Sequence, residues 1–542
     1  MKPYVSVELS LVNGKIVTLN QRDEIAQAVS VRDGKIVVVG STKNVLEMAG
    51  KNTTVIDLQG KTAVPGFVES HCHPSLAGPM LCFEVDARTA TSIDEIVNML
   101  REKASKLPKG KWVKGMGYDD QKLKEKRHPT RYDLDKASTN HPVYLTRTDG
   151  HLAVANSVAL QLAKITRDTP DPDGGRFDRE PHTGEPNGVL REKAQTLIKP
   201  LIPPYSIEEI KEGLVSAFDQ LAGWGITSFH DAAVVHDSMV AYQELLAENR
   251  LPLRVAMMIV GIPMLEFPGY LSELKALGIK AGFGNDRLRI YGTKFMCDGS
   301  MSGWTAALHE PYSNEPNEYG IIVTPIEELT ASIVEAHKAG LRPVTHAIGD
   351  RAIDIVLDAI EMALSERPDP DHRMTIEHCS LPTEEAIDRI KRLGVLPSSS
   401  VGFLYELGPA HLLGIGKERA KRYFPHRTYL QKGIISVGNS DWFVTSANIA
   451  QQLYGVVTRK GYSGDVIGPE QAISVMDALR LYTINGAYAS FEEKIKGSIE
   501  PGKLADMVVL DRDILTIPEE EIKDMKVETT IVGGEIVYQR GA

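Results

Sequence analysis

Two histidines separated by one residue, His71 and His73, end an apolar run that reads TAVPGFVESHCH and begins at Thr62. Side chains alternate between the two faces of a strand, so both imidazoles point to one side while Cys72 points to the other. Neutral imidazole nitrogen is a common ligand of zinc and similar ions, so the pair could form half of a metal site. A single such histidine could equally be a hydrogen-bonded core residue.

Four later segments that read as buried strands each carry one more ligand-type residue at or near the C-terminal end. These residues are Lys294 in RIYGTKFMCDG, His346 in LRPVTHAIGD, His378 in MTIEHCS and Asp441 in IISVGNSD. In a (β/α)8 barrel the C-terminal strand ends converge on one mouth, so residues distant in sequence meet around one cavity. The pattern therefore predicts a metal site to which the two histidines and these four residues contribute.

Lys294 and Asp441 each have a second interpretation. An ammonium cannot ligate a cation, so Lys294 would be a ligand only as an N-carboxylated lysine, whose two oxygens could bridge a pair of metals. It could instead remain a cation that pairs with Asp298 or anchors the substrate. Asp441 could cap the segment that follows it, because Ser-Asp before a turn is a common capping arrangement.

Length and composition describe a large globular chain. The 542 residues would fill a barrel of roughly 250 residues with additions. The 61 basic and 72 acidic residues give a net charge of −11 without a basic cluster, which argues against nucleic acid as a partner. No stretch approaches ~18 apolar residues, and the N-terminal sequence lacks the apolar core of a signal peptide. We therefore expect a cytoplasmic protein that does not associate with membranes.

Eight segments read as the strands of one barrel. From residue 206 onward, helical periodicity alternates with short apolar strands, and repeated βα units imply a parallel sheet. Seven strands follow the one that ends at His73, and eight units favour a closed barrel over an open doubly wound sheet. The stretch between the seventh and eighth strands is expected to be irregular. The early strands carry no GxGxxG or GxxxxGK[ST] motif, which argues against the nucleotide-binding alternative. The predicted class is α/β, a distorted (β/α)8 TIM-like barrel.

Both ends of the chain are expected to form β structure outside the barrel. Residues 1–62 and 490–542 contain short alternating segments separated by Gly-containing turns such as NG and DG, which are hairpin signals. Neither end is long enough for a confident core of its own, so one small β-sandwich built from both termini is the economical arrangement. Residues 63–489 then form the barrel, including an insertion at 84–205 that is expected to lie over the active site.

The chain resembles the amidohydrolase superfamily over nearly its whole length, and within it the branch called amidohydrolase family 3, which includes N-substituted formamide deformylases. The motifs that carry the resemblance are PGFVESHCHP, GHLAVANS, GEPNGVLRE, KFMCDGSMSGWTAAL, THAIGDRAID, IEHCS, GNSDWFV and ALRLYTINGAYASFEEKIKGSIEPGKLADMVVLDRD. The resemblance implies a metal-dependent hydrolase with a distorted barrel, a terminal β-sandwich and one or two metals. Asp441 would be the acid/base, and the metal ligands would be His71, His73, Lys294, His346 and His378.

Five residues are candidates for substrate contact. GHLAVANS and the WTAAL segment match regions that lie near substrate in the family, and the candidates there are His151, Asn156 and Trp304. Two more, His230 and Asp298, follow from their places near the ends of predicted strands, although structural hydrogen bonding explains His230 equally well.

The predicted reaction is hydrolysis of a non-peptide C–N bond in a small molecule, most simply a linear N-substituted amide or formamide. One or two zinc or other divalent first-row ions would lower the pKa of water from about 16 toward about 7. Asp441 would accept the released proton and deliver it to the leaving nitrogen.

Other functions are compatible with the same residues. A cyclic amide or an amidine-type bond could be cleaved by the same site, and a barrel lyase or isomerase would also keep the ligands. A non-catalytic binding protein predicts missing ligands, whereas all of them are present here. The sequence leaves open the acyl and amine parts of the substrate and whether the protein is a homo-oligomer.

Overall fold

The computed structural model describes residues 7–264 and 267–541, and at its centre an eight-stranded parallel sheet forms an almost closed barrel, which confirms the predicted fold class. Strand 8 lies beside strand 1, where the N–H of Asp441 donates to the carbonyl of His71 at 3.0 Å. The barrel strands, numbered 1 to 8 in chain order, are Phe67–Cys72, Ile226–Val234, Arg254–Val260, Leu288–Met296, Pro343–Ala347, Thr375–His378, Leu396–Ser400 and Val437–Asn439.

Helices surround the barrel, so its strands are buried on both faces and read as nearly continuous apolar runs. The helix Ile207–Gly223 begins at a cap that can be read from the sequence, because Ser206 and Glu209 form a capping box. Across the described ranges, no helix combines the length and the apolar character needed to cross a bilayer. Apart from the segment between strands 7 and 8, the helices outside the insertion and the termini are Pro74–Phe83, Ile207–Gly223, His236–Ala247, Leu271–Ala276, Ile326–Lys338, Asp350–Glu366, Glu384–Leu393, Ile449–Thr458, Val475–Leu481 and Ile484–Ala489, with a short 3-10 turn at Pro469–Gln471.

The segment between strands 7 and 8 is helical, so the expectation of an irregular stretch is wrong. It contains the helices Gly402–Glu406, Gly408–Ala420 and His426–Lys432. These helices contain glycines, which have low helix propensity, so the sequence does not show a clear helical periodicity there. Gly416 also interrupts the second helix, with a φ of 71° that favours glycine.

The insertion between strands 1 and 2 has a sheet and a core of its own. Buried apolar side chains such as Leu100, Leu145 and Val154 form a cluster separate from the barrel core. This explains how the insertion avoids a long structureless loop. In spatial order its strands are Gly175–Arg179, Pro186–Glu192, Leu152–Ala155, Val143–Arg147, Val113–Tyr118 and Val85–Asp86, and its helices are Ile93–Ser105, Arg131–Asp135 and Ser157–Leu162, with 3-10 turns at Lys193–Leu197 and Lys199–Leu201.

Two further sheets are built from the chain ends. Leu11, Ile16 and Met507 belong to one apolar cluster, so N-terminal and C-terminal residues share a core. The boundaries at 62 and 490 stay predictions. The first sheet has the strand order Lys35–Gly40, Ala28–Arg32, Val7–Val12 and Ala49–Asp57, and the second has the order Glu535–Gln539, Val527–Val532, Met507–Leu510, Thr62–Pro65, Lys15–Val17 and Ile25–Ala26; the accompanying helices are Thr42–Leu46 and the 3-10 turn Glu519–Asp524.

Candidate metal and active site

His71 and His73 lie side by side at the C-terminal end of strand 1, with ring centroids 5.1 Å apart. One nitrogen of each ring is held by the protein. The Nδ1–H of His71 donates to Glu377 Oε2 at 2.7 Å, and the Nδ1–H of His73 donates to the carbonyl of Ala232 at 3.0 Å. Such partners fix the tautomer of a metal-binding histidine and orient its ring. The Nε2 atoms of both rings therefore remain for a ligand at the barrel mouth.

His346 and His378 bring two more imidazoles from strands 5 and 6, with ring centroids 4.5 Å apart. His378 Nδ1 lies 2.7 Å from Ser400 Oγ, and His346 Nε2 lies 3.1 Å from the carbonyl of Gly299. The second nitrogen of each ring remains for a metal. Burial is the main cause that lowers the pKa of both imidazoles, and of His71, well below the usual value. These rings are therefore neutral, which is the form that ligates metals.

Asp441 turns back toward the histidines just after strand 8. Its Oδ1 lies 3.0 Å from His73 Nε2 and 3.5 Å from His71 Nε2. This oxygen is buried and accepts no hydrogen bond from the residues described. His71, His378 and Asp441 each offer a ligand atom, and the three atoms lie within 4.8 Å of one another. A buried, unpaired carboxylate oxygen facing imidazole nitrogens fits a divalent cation.

Lys294 lines the same mouth from strand 4 and is only 4% exposed. Burial lowers the pKa of its ammonium to about 8, while the carboxylates of Glu377 and Asp441 oppose that shift. The proposed pairing with Asp298 is not present. Asp298 instead accepts hydrogen bonds from three backbone N–H groups, at 2.8–3.0 Å.

Glu377 is the main site residue that sequence reasoning missed. It is fully buried beside His71, and burial raises its pKa to about 7 in spite of the nearby Lys294. Strand alternation would place adjacent residues on opposite faces. His378 has a φ of 67°, however, which breaks the alternation at the strand end. A glutamate inside the apolar run MTIEHCS was the only available signal.

One of the five substrate candidates, His151, lines the cavity. Its ring centroid lies 5.3 Å from that of His346, and its Nδ1–H donates to Glu192 Oε2 at 2.8 Å. Burial alone would lower the pKa of His151, but the carboxylates of Glu192, Asp149 and Asp441 together outweigh burial and raise it to about 9. Glu192 was also missed, because it comes from a neighbouring strand of the insertion.

The structure does not bring the other four candidates to the cavity wall. Asn156 caps the helix Ser157–Leu162, and its side-chain amide forms hydrogen bonds with backbone groups. His230 lies inside the barrel with its ring centroid 4.5 Å from that of Tyr291. Asp298 is enclosed by its backbone donors, and burial raises its pKa to about 7. Trp304 is half-buried in the loop after strand 4.

The mouth opens into a cavity of about 540 Å³. Beyond the site residues, its walls come mainly from the helix Pro74–Phe83, the insertion and residues 199–205. Most of the side chains on these walls are apolar. The site therefore sits at the inner end of a pocket suited to a small organic molecule.

A (β/α)8 barrel whose strand ends gather neutral imidazoles, a lysine and an unpaired carboxylate oxygen is the architecture of a metal-dependent hydrolase. Residues 54–538 match the sequence model of the amidohydrolase family, and the chain belongs to that family. The protein is thus a metal-dependent hydrolase of this family.

Individual relatives match almost the whole chain. The YtcJ amidohydrolase of Bacillus subtilis (strain 168) is 31% identical, over 97% of this chain and 98% of that protein. The N-substituted formamide deformylase of Arthrobacter pascens is 29% identical over 98% of both chains. Among solved structures, a metal-dependent hydrolase from Pyrococcus horikoshii OT3 is 28% identical with a TM-score of 0.75, over 94% of this chain and 99% of that one.

Proposed function

We propose that the protein hydrolyses a non-peptide C–N bond, most simply that of a linear N-substituted amide or formamide. The observation that carries this proposal is the unpaired Oδ1 of Asp441, buried among imidazoles at the inner end of a largely apolar cavity. A relative that is named for deformylating N-substituted formamides, and that matches nearly the full length, supports the substrate class.

The side chains that fit a divalent ion are four imidazoles and a carboxylate. This donor set suits zinc or another first-row metal. One or two such ions, when bound, would supply Lewis acidity and a water molecule of lowered pKa. We propose that Lys294 joins the site as an N-carboxylated lysine, because its buried amine has a lowered pKa and faces the same mouth. The proposed ligands are His71, His73, Lys294, His346, His378 and Asp441.

Asp441 moves the proton in the proposed reaction. Its free oxygen accepts a proton from the attacking water and then delivers that proton to the leaving nitrogen. Protonation matters because an amide nitrogen departs poorly as an anion. The water oxygen first adds to the carbonyl carbon, the C–N bond then breaks once its nitrogen is protonated, and the products are a carboxylic acid and an amine.

We also propose that His151 acts on the carbonyl oxygen of the substrate. Glu192 holds its Nδ1–H, so Nε2 is the nitrogen that remains for the cavity. A cationic donor aimed at developing negative charge lowers the barrier to acyl transfer. We therefore assign His151 to oxyanion stabilisation.

A substrate screen tests the proposal. Zinc-loaded protein is incubated with N-substituted formamides, N-acyl amino compounds and cyclic amides, and amine release is measured. We expect release from linear amides, loss of that activity with a chelator and recovery on adding zinc. Incorporation of oxygen from labelled water into the acid separates hydrolysis from lyase chemistry. The double variant His71→Ala, His73→Ala should bind no metal. Metal-loaded protein that cleaves no linear amide would reject the proposal.

A further inference from the structure

We propose that the cavity selects amides by the length of an extended apolar group, an alkyl or arylalkyl chain of about ten carbons. This inference rests on the proposed function, because it names the substrate class of the same site. A formyl group would fill only a small part of the 540 Å³ cavity. The remaining space has an apolar wall of defined length.

That wall is one face of the helix Pro74–Phe83. The helix begins directly after the proposed ligand His73. Leu76 and Met80 follow on the helix four residues apart, and Glu84, four residues further, is the C-cap residue just after the helix end; all three line the cavity. Side chains spaced by four lie on one helix face. With a rise of 1.5 Å per residue, they lie about 4, 10 and 16 Å along the axis from His73.

A second part of the cavity lining, from residues 200–204, is also poor in polar groups. Pro200, Pro203 and Pro204 line it together with Ile202. Proline has no backbone N–H, so this segment exposes few donors to the cavity. A polar group placed between two such walls would lose its hydrogen bonds to water, whereas an apolar group would be stabilised there.

A polar cluster marks the far end of the apolar stretch. Lys114 Nζ lies 3.2 Å from Glu84 Oε1 and 3.6 Å above the ring of Tyr205. The hydroxyl of Tyr205 donates to the same carboxylate oxygen at 2.5 Å. The charges are paired within the cluster, so methylenes that reach it gain no further apolar contact. In an extended chain each C–C bond of about 1.5 Å advances about 1.25 Å, so about ten carbons span the roughly 12 Å along the helix axis from Leu76 to Glu84.

Alkyl hydroxamates measure this length directly, since a hydroxamate binds a metal and the alkyl tail probes the cavity. Calorimetry with zinc-loaded protein is run from acetohydroxamate to hexadecanohydroxamate. We expect affinity to rise about fourfold per methylene over the apolar stretch and then to level off. Affinity that is independent of chain length, or that rises through the whole series, would overturn the inference.

Variants at Met80 locate the effect. Met80→Trp should weaken binding of decanohydroxamate tenfold or more and leave acetohydroxamate unchanged. Met80→Ala, a milder change, should reduce the increase in affinity per methylene near the middle of the series. Met239→Trp is the matched control, because Met239 lies on the helix His236–Ala247 outside the cavity lining. A Met80→Trp variant that binds the whole series like the wild type would also refute the proposal.

Binding of hydroxamates is independent of turnover, so the two proposals can fail separately. Length-dependent binding by a protein that cleaves no amide would reject the proposed function and leave length selection standing. Cleavage of short and long amides with equal kcat/KM, together with hydroxamate affinity that does not change with chain length, would reject length selection and leave the proposed function standing.

Discussion

Asp441 is held in place by its own backbone, so its carboxylate can be altered without altering the fold. Asp441→Asn keeps the side-chain shape but removes the proton acceptor. We expect turnover to fall by about a hundredfold or more, the effect of losing a positioned acid/base, with the melting temperature nearly unchanged. Asp465→Asn, at an exposed position, serves as the control. Wild-type turnover in Asp441→Asn would reject Asp441 as the acid/base.

Lys294 tests whether the site holds two metals through a carbamate. A protonated lysine about 4 Å from a cation is repelled by several kcal/mol even at an effective dielectric near 20, whereas a carbamate offers two oxygen donors. We expect Lys294→Ala to lose metal and activity, and acetate or propionate to restore part of both. Sodium chloride at equal ionic strength controls for salt. An unmodified lysine in active protein that holds a single ion would contradict the bridge.

Glu377 positions His71 through the 2.7 Å hydrogen bond to Nδ1. Glu377→Gln keeps an acceptor of the same size but removes the charge that strengthens the bond. Loss of such a partner weakens metal binding by about ten- to a hundredfold. Competition with a fluorescent zinc chelator measures the metal affinity. Ser400→Ala, which removes the neutral partner of His378, should weaken metal binding less. Equal losses of affinity in the two variants would show that the charge of Glu377 does not strengthen metal binding.

At the level of secondary structure, the sequence predicted the features that depend on periodicity. Alternating helices and buried strands give the eight barrel strands, and the convergence of strand ends places the six proposed ligands around one mouth. Local backbone geometry could not be predicted from the sequence. Glu377 pairs in register with His346 and so faces the site, a positive φ at His378 lets the adjacent imidazole join it, and strand pairing within the insertion brings Glu192 to His151. None of these features produces a periodic pattern of residues in the sequence.

Glu492 connects the segment after the last helix to the barrel. Its carboxylate lies 2.9 Å from Lys496 Nζ and 3.1 Å from Arg289 Nη1, and it is 2% exposed. Burial alone would raise its pKa, but the two cations lower it from 4.5 to about 2. The stabilisation is therefore complete above the unfolded-state pKa of about 4.5 and is lost as the pH falls toward about 2.

Glu492→Gln should consequently lower the free energy of unfolding by about 3 kcal/mol at neutral pH, the scale for removing one partner of a buried pair. The gap from the wild type should narrow as the pH falls below about 4.5. Urea unfolding at several pH values measures both effects. Glu102→Gln, in an exposed pair with Lys106, should change little at any pH. A gap that stays constant with pH would show that the charge of Glu492 does not contribute.

At the scale of the whole molecule, strand pairing and an ion pair connect the terminal sheets to the barrel that carries the proposed metal site. The C-terminal strand Met507–Leu510 pairs antiparallel with Thr62–Pro65. The next residues of that N-terminal segment are strand 1, which ends at the proposed ligands. Asp506 adds a second connection, because its carboxylate binds Arg254 of strand 3 at 2.7 and 3.0 Å. We therefore expect the terminal sheets and the barrel to unfold together.

Asp506→Asn tests this coupling. The variant removes the buried partner of the Arg254 guanidinium, which is 3% exposed, and leaves its salt bridge to the half-exposed Asp286. Unfolding should remain a single transition, with a free energy lowered by about 3 kcal/mol, and zinc should be released in the same transition. Asp513→Asn breaks a more exposed pair with Lys15 on the same C-terminal segment and should cost less than about 1 kcal/mol. If the terminal sheets were an independent appendage, Asp506→Asn would instead produce an early separate transition that leaves zinc bound. Calorimetry combined with a zinc-sensitive dye distinguishes the two outcomes, because only a continuous structure can transmit the loss of a buried ion pair near the termini to ligands at the barrel mouth.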